Sequence, residues 1–234
     1  MQNIFLTRRW PVTVEKDLRS LGNVIRNEGD EPLSRQALRH ALNSAEVVCP
    51  TVTDHLDADL LLDRQVKTRL IANFGVGFNH IDIDAAQQAG IAVTNTPGVL
   101  TDATAEIALS LLLSSARRTG EGERHVRAGG WVGWRPTHML STQVTGKTMG
   151  IVGAGRIGIA FARKVCHGLG MKILYSSRSE LAESVALELG ATRLELSDLL
   201  ARSDFVSLHC PATPATHHLI NAETLAQMQS HAHL

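Results

Sequence analysis

A chain of 234 residues with 44% hydrophobic content can bury one large core or two small ones. Its 23 basic side chains balance 23 acidic ones, so no global field draws it to nucleic acid or to an anionic membrane. Three unevenly spaced cysteines, Cys49, Cys166 and Cys210, exclude a disulfide framework and a cysteine-built zinc site.

The partners to expect are therefore small molecules or other protein chains. Met1–Arg9 is too short an apolar run for a signal peptide, and no stretch reaches the roughly 18 apolar residues of a membrane span. The reading is a cytoplasmic protein, with no metal site expected among its 11 histidines.

In chain order, Asn3–Leu6 reads as a strand and Val14–Leu21 as a helix. A strand at Asn23–Arg26 follows, then a helix over Ser34–Leu42 with Ser34 as its cap. Glu46–Cys49 is an apolar run ended by Pro50, and a short helix is expected around Ala58–Leu62. Strands at Leu70–Phe74 and Ile91–Asn95 bracket a helix over Ile83–Ala89, started by Asp82 and stopped by Gly90. Such alternation predicts a parallel sheet covered by helices. Thr101–Arg117 is a helix, apolar nearly all round over Ile107–Leu113 and so expected to be buried between domains or subunits. Gly120–Pro136 lacks periodicity and reads as a connecting arm, and a second alternating unit starts at Thr148.

That second unit opens on the most informative stretch, Thr148-Met149-Gly150-Ile151-Val152-Gly153-Ala154-Gly155-Arg156-Ile157-Gly158. With 19 glycines in the chain, the Gly-x-Gly-x-x-Gly spacing alone is weak. Its context is specific: it follows an apolar strand, opens a helix over Ile157–Leu169 that ends at Gly170, and is followed about 20 residues later by a strand at Lys172–Tyr175. Gly153 suits a tight turn, Gly155 lets backbone amides approach a pyrophosphate, and Gly158 lets helix and strand pack closely. The amides at the helix start, those of Arg156 and Ile157 among them, then face the phosphates. This is a dinucleotide-binding half-domain of the Rossmann type, built for a nicotinamide cofactor.

The turn after the second strand, Tyr175-Ser176-Ser177-Arg178-Ser179-Glu180, lacks the carboxylate that usually accepts from the ribose hydroxyls. Arg178 could pair with a 2′-phosphate, with Ser176 and Ser177 donating to it, so the expected cofactor is NADP, with NAD possible. Two alternatives stay open: Arg178 as a solvated loop residue, and Glu180 reaching back to the ribose.

Four stretches in this order resemble the D-isomer-specific 2-hydroxyacid dehydrogenases, and among them the glyoxylate and hydroxypyruvate reductases. Asn73-Phe74-Gly75-Val76-Gly77-Phe78-Asn79-His80-Ile81-Asp82 is similar to the family loop whose amides, here Val76 and Gly77, hold the substrate carboxylate. Pro97-Gly98-Val99-Leu100-Thr101-Asp102-Ala103-Thr104-Ala105-Glu106 is similar to its interdomain helix start, where Thr104 would touch the cofactor. The Gly153–Gly158 turn is the third. The fourth is Val206-Ser207-Leu208-His209-Cys210-Pro211-Ala212-Thr213-Pro214-Ala215-Thr216, where Cys210, Pro211 and Thr216 would line the adenosine side.

The resemblance implies two α/β domains of parallel sheet, Rossmann-like and flavodoxin-like, with a cleft between them. Residues 1–99 would form the substrate domain and 100–234 the NAD(P)-binding domain, the latter incomplete at its C-terminal end. The reaction would be hydride transfer between the nicotinamide and C2 of a small 2-keto or 2-hydroxy acid. A homodimer would form through Thr101–Trp134, with Trp131 and Trp134 as interface anchors or as simple packing of the arm. The family's Arg, Glu and His fall beyond Leu234, so no catalytic residue is assigned within the chain and its turnover is expected to be impaired. A non-catalytic cofactor-binding or dimerising remnant is the alternative. His209 and His80 are read as structural or surface histidines.

Overall fold

A computed structural model describes residues 1–234 and divides them into two units, Met1–Val99 and Leu100–Leu234. In the first, strands β1 (Asn3–Leu6), β2 (Asn23–Arg26), β3 (Val47–Cys49), β4 (Leu70–Ala72) and β5 (Ala92–Thr94) form a parallel sheet in the order β2-β1-β3-β4-β5. The helices between them are α1 (Val12–Leu21), α2 (Arg35–Ser44), α3 (Ala58–Leu61) and α4 (Ile83–Gln88). Their starts follow local chemistry: Ser34, Asp57 and Asp82 each accept a backbone N–H from the first turn of the helix they precede. Leu38, Ala41 and Leu42 of α2, Leu60 and Leu61 of α3, and Ala85 and Ala86 of α4 pack with Val48 and Ile71 on one face of the sheet. Ile4, Leu6 and Cys49 close the other face with Trp10 and Leu18. Burial pushes the Cys49 thiol up to about 12, so it is an inert core group.

The second unit begins with α5 (Thr101–Arg117) and α6 (Thr119–Arg127), and then alternates strand and helix. Its elements are β6 (Thr148–Val152), α7 (Arg156–Leu169), β7 (Lys172–Ser176), α8 (Glu183–Leu189), β8 (Thr192–Arg193), α9 (Leu196–Arg202), β9 (Phe205–Leu208) and α10 (Ala222–Ala226). The sheet is parallel in the order β8-β7-β6-β9, so the chain crosses from one side of β6 to the other between β8 and β9. Phe161, Ala162 and Val165 of α7 pack with Met149, Ile151, Ile173 and Phe205 on one face. Val152, Leu174 and Val206 meet Leu199 and Leu200 of α9 on the other. Phe161 is wholly buried, and its truncation to alanine would cost about 3–5 kcal/mol.

One expectation is corrected. The arm is not irregular throughout: Thr119–Arg127 is helical although it buries no residue. Ion pairs Arg118–Glu121 and Glu123–Arg127 support it, and its lack of an apolar stripe is what hides it in the sequence. Within this single chain, helix α5 is covered on one side. It packs Ala105, Leu112 and Ala116 into the core, but Ile107 and Leu111 are more than 60% exposed because α7 covers only one side of it. No helix is long and apolar enough to cross a membrane.

Candidate functional site

The glycine turn joins the carboxyl end of β6, the strand with β7 on one side and β9 on the other, to the start of α7. In open α/β sheets a ligand crevice forms at such a switch point, outside the strand ends. Gly153 sits at φ +93°, and a Cβ there would lie 2.5 Å from the amide nitrogen of Cys210. A Cβ on Gly158 would lie 2.4 Å from the carbonyl oxygen of Gly153. Both glycines are thus required by close approach within the protein.

Gly155 is different. Its backbone is extended at φ −84°, and a Cβ there would meet no protein atom within 4 Å. The residue caps α7 without a side-chain hydrogen bond, and the first turn of this 14-residue helix holds no acidic residue. The amides of Arg156, Ile157 and Gly158 belong to that turn and have no intrahelical acceptor. About half a positive elementary charge accumulates there from the helix dipole. Bare backbone, unpaired N–H groups and positive potential fit a pyrophosphate.

The end of β7 lies beside this turn, because the Gly153 amide donates to the Ser176 carbonyl over 2.8 Å. Ser176 and Ser177 are half-buried, and neither hydroxyl has a partner within the protein. Arg178 is exposed and makes no ion pair. Glu180 is engaged elsewhere: it pairs with Arg193 of β8 at 3.2 Å, while the same guanidinium donates to the carbonyls of Ser177 and Arg178. Its carboxylate thus points to Arg193 in an exposed pair, and the next carboxylate, Glu183, lies in the first turn of α8.

The third side is the end of β9, where His209 donates its amide to Val152 over 2.8 Å. Cys210 is half-buried next to Gly153, and Pro211 is exposed. The hydroxyl of Thr216 donates to the Pro211 carbonyl at 2.6 Å and accepts the Thr213 amide at 2.9 Å, so this side chain fixes the loop rather than standing free. Thr104 is exposed on α5 and lines a groove of about 500 Å³ with Phe161, Ser207, Leu208 and His209. His209 is held below the usual histidine range by burial, and its Nε2 lies 2.9 Å from the Ser207 hydroxyl.

In the first unit, the loop after β4 is held by its carbonyls. Gly75 accepts from the Thr96 amide at 3.0 Å and Val76 from the Asn95 side chain at 2.9 Å. The side-chain amide of Asn73 donates to both Gly75, at 3.3 Å, and Gly77, at 2.9 Å. The amides of Val76 and Gly77 donate to nothing in the chain. A pair of free N–H groups on a braced loop suits an anionic oxygen. Composition gave no signal for Asn73 or Asn95, because their roles depend on where the loop folds back.

A model of the D-isomer specific 2-hydroxyacid dehydrogenase NAD binding domain matches residues 109–234. The glyoxylate reductase of Thermococcus litoralis is 41% identical over 233 residues, covering 98% of this chain and 70% of that protein. The glyoxylate reductase of Pyrococcus horikoshii is 42% identical over 236 residues, covering 98% and 69%. The chain belongs to the D-isomer-specific 2-hydroxyacid dehydrogenases. A solved Polaromonas structure described as a member of this family superposes with a TM-score of 0.88 at 36% identity, covering 97% of this chain and 71% of that one. As a member of these dehydrogenases the chain is an oxidoreductase, and its cofactor is a nicotinamide dinucleotide. The fit of the Gly153–Gly158 turn to a pyrophosphate agrees with that assignment.

Proposed function

We propose that this dehydrogenase is an NADP(H)-dependent reductase of small 2-keto acids, of the glyoxylate or hydroxypyruvate kind. The end of β7 carries the reading. With Glu180 paired to Arg193, Arg178, Ser176 and Ser177 offer one free charge and two free hydroxyls to a 2′-phosphate. The amides of Arg156, Ile157 and Gly158 take the pyrophosphate, Cys210 and Pro211 with the loop fixed by Thr216 border the adenosine side, and Thr104 meets the cofactor from α5. A reduced nicotinamide held by these residues would supply the hydride for C2 of the keto acid. The amides of Val76 and Gly77 hold the substrate carboxylate, so residues 1–99 act as the substrate domain and 100–234 as the cofactor domain. That the archaeal relatives are glyoxylate reductases supports the substrate class.

The test is a pair of titrations, NADPH against NADH, on the 234-residue chain and its Arg178→Ala variant. NADPH is expected to bind more tightly, and the variant to lose about tenfold for NADPH with NADH unchanged. Equal losses for both cofactors, or a wild-type preference for NADH, would overturn the NADP reading. Glyoxylate turnover is assayed alongside. Robust turnover would assign the proton donor to a residue within the chain, with His209 first to be substituted.

A further inference from the structure

Beneath the loop after β4 lies a buried polar pair that the proposed reaction does not use. Asn73 is 2% exposed and His80 is 5% exposed, and His80 Nε2 lies 2.9 Å from Asn73 Oδ1. Both hydrogens of the Asn73 amide are committed to the carbonyls of Gly75 and Gly77, which can only accept. Its oxygen must therefore face the imidazole, and the ring must carry its proton on Nε2. The other tautomer would set two lone pairs against each other in a buried site, where an unmade hydrogen bond is most costly. Burial holds His80 below the usual histidine range, with nearby Asp54 opposing and His55 adding to that effect, so the ring is neutral at pH 7. Backbone bonds fix the ring at its own position: the His80 carbonyl accepts the Leu56 amide at 2.8 Å, and Leu56 and Ile81 form a parallel bridge.

We propose that His80 and Asn73 are positioning residues for carboxylate binding. His80 donates from Nε2 to Asn73, Asn73 is thereby oriented with its amide toward Gly75 and Gly77, and those carbonyls are drawn inward. The N–H groups between them, on Val76 and Gly77, are left for the substrate. The inference rests on the reading of Val76 and Gly77 as the carboxylate site. It adds that the site's shape is set through Asn73 by His80, seven residues downstream of that asparagine, in one tautomer of its ring.

The experiment follows the backbone amide NMR signals of the isotope-labelled full chain during titration with oxalate, an unreactive two-carbon carboxylate. Wild type, His80→Leu and His80→Gln are compared. In wild type the Val76 and Gly77 signals shift on titration, and the His80 ring shows its proton on Nε2. His80→Leu removes the donor and is expected to weaken oxalate binding by about tenfold. His80→Gln places an amide N–H near the former Nε2 and restores binding to within about threefold of wild type. A spectrum otherwise superimposable on wild type shows that each variant is folded.

Oxalate binding unchanged in His80→Leu, no rescue by His80→Gln, or a wild-type ring protonated on Nδ1 would each overturn the positioning role alone. Val76 and Gly77 signals that ignore oxalate in wild type would overturn the carboxylate site itself, and the positioning role with it. If His80→Leu does not fold, the ring tautomer in wild type and the affinity of His80→Gln decide.

Discussion

A methyl group added at Gly155 would meet no protein atom within 4 Å, whereas one at Gly158 would strike the Gly153 carbonyl oxygen at 2.4 Å. The two glycines therefore answer to different constraints, and substitution separates them. Gly158→Ala forces α7 away from the turn and is expected to destabilise the fold by about 1–3 kcal/mol, read as a lower denaturation midpoint. Gly155→Ala is expected to melt like wild type yet bind NADPH at least about tenfold more weakly, because the methyl group occupies the approach to the phosphates. Loss of stability in Gly155→Ala, or unchanged affinity, would remove the ligand as the reason for that glycine. The glycine turn was legible in the sequence because a backbone that must pass so close to its neighbours admits only one residue type. Asn73 and His80 were not, because nothing in their spacing says that an amide will reach back to two carbonyls and be held there by a ring.

Helices α7 and α8 are clamped by one carboxylate. Arg163 donates to Glu188 from Nε and Nη2, both at 2.8 Å, and His167 Nε2 lies 3.3 Å away. Hydrogen bonds from Arg163, then His167, hold Glu188 down to about 2 against an ordinary value of 4.5. A carboxyl whose pKa is depressed on folding stabilises the fold above its ordinary value, and that contribution fades as pH falls toward the folded value. The window is thus between about pH 4.5 and 2. Because the pair is exposed the effect is small and screened by salt. At low ionic strength Glu188→Gln should melt below wild type at pH 7, with the gap narrowing toward about pH 3. A gap constant across the acid range would deny the clamp. Alternating strands and helices were readable from apolar runs and caps such as Ser34 and Asp82. Helices α6, α8 and α9 were not, because they are short or polar and draw stability from ion pairs and neighbours rather than from a stripe.

On the molecule as a whole, the second unit exposes several large apolar side chains along one segment. Trp134 and Val132 are each 79% exposed, Trp131 is 49% exposed, and Ile107 and Leu111 stand open on α5. Single exposed hydrophobes are ordinary, but this many within Thr101–Trp134 favour a homodimer through that segment. Light scattering after size exclusion should give twice the chain mass. Replacing Trp131 and Trp134 together by alanine should shift the scattering toward single chains, at a cost of about 2 kcal/mol or more of association energy. A wild-type chain that scatters as a monomer at micromolar concentration would end the dimer reading.

The rung from the Gly153 amide to the Ser176 carbonyl uses only main-chain atoms. Whatever side chains follow at 176–178, the strand end stays tethered to the phosphate-gripping turn at the same height. On the proposed reading, discrimination between the two nicotinamide dinucleotides would hang on a peg to which the side chains at 176–178 contribute nothing. A lineage could exchange them one at a time, passing through forms that accept either cofactor, without any intermediate losing its grip on the phosphates they share.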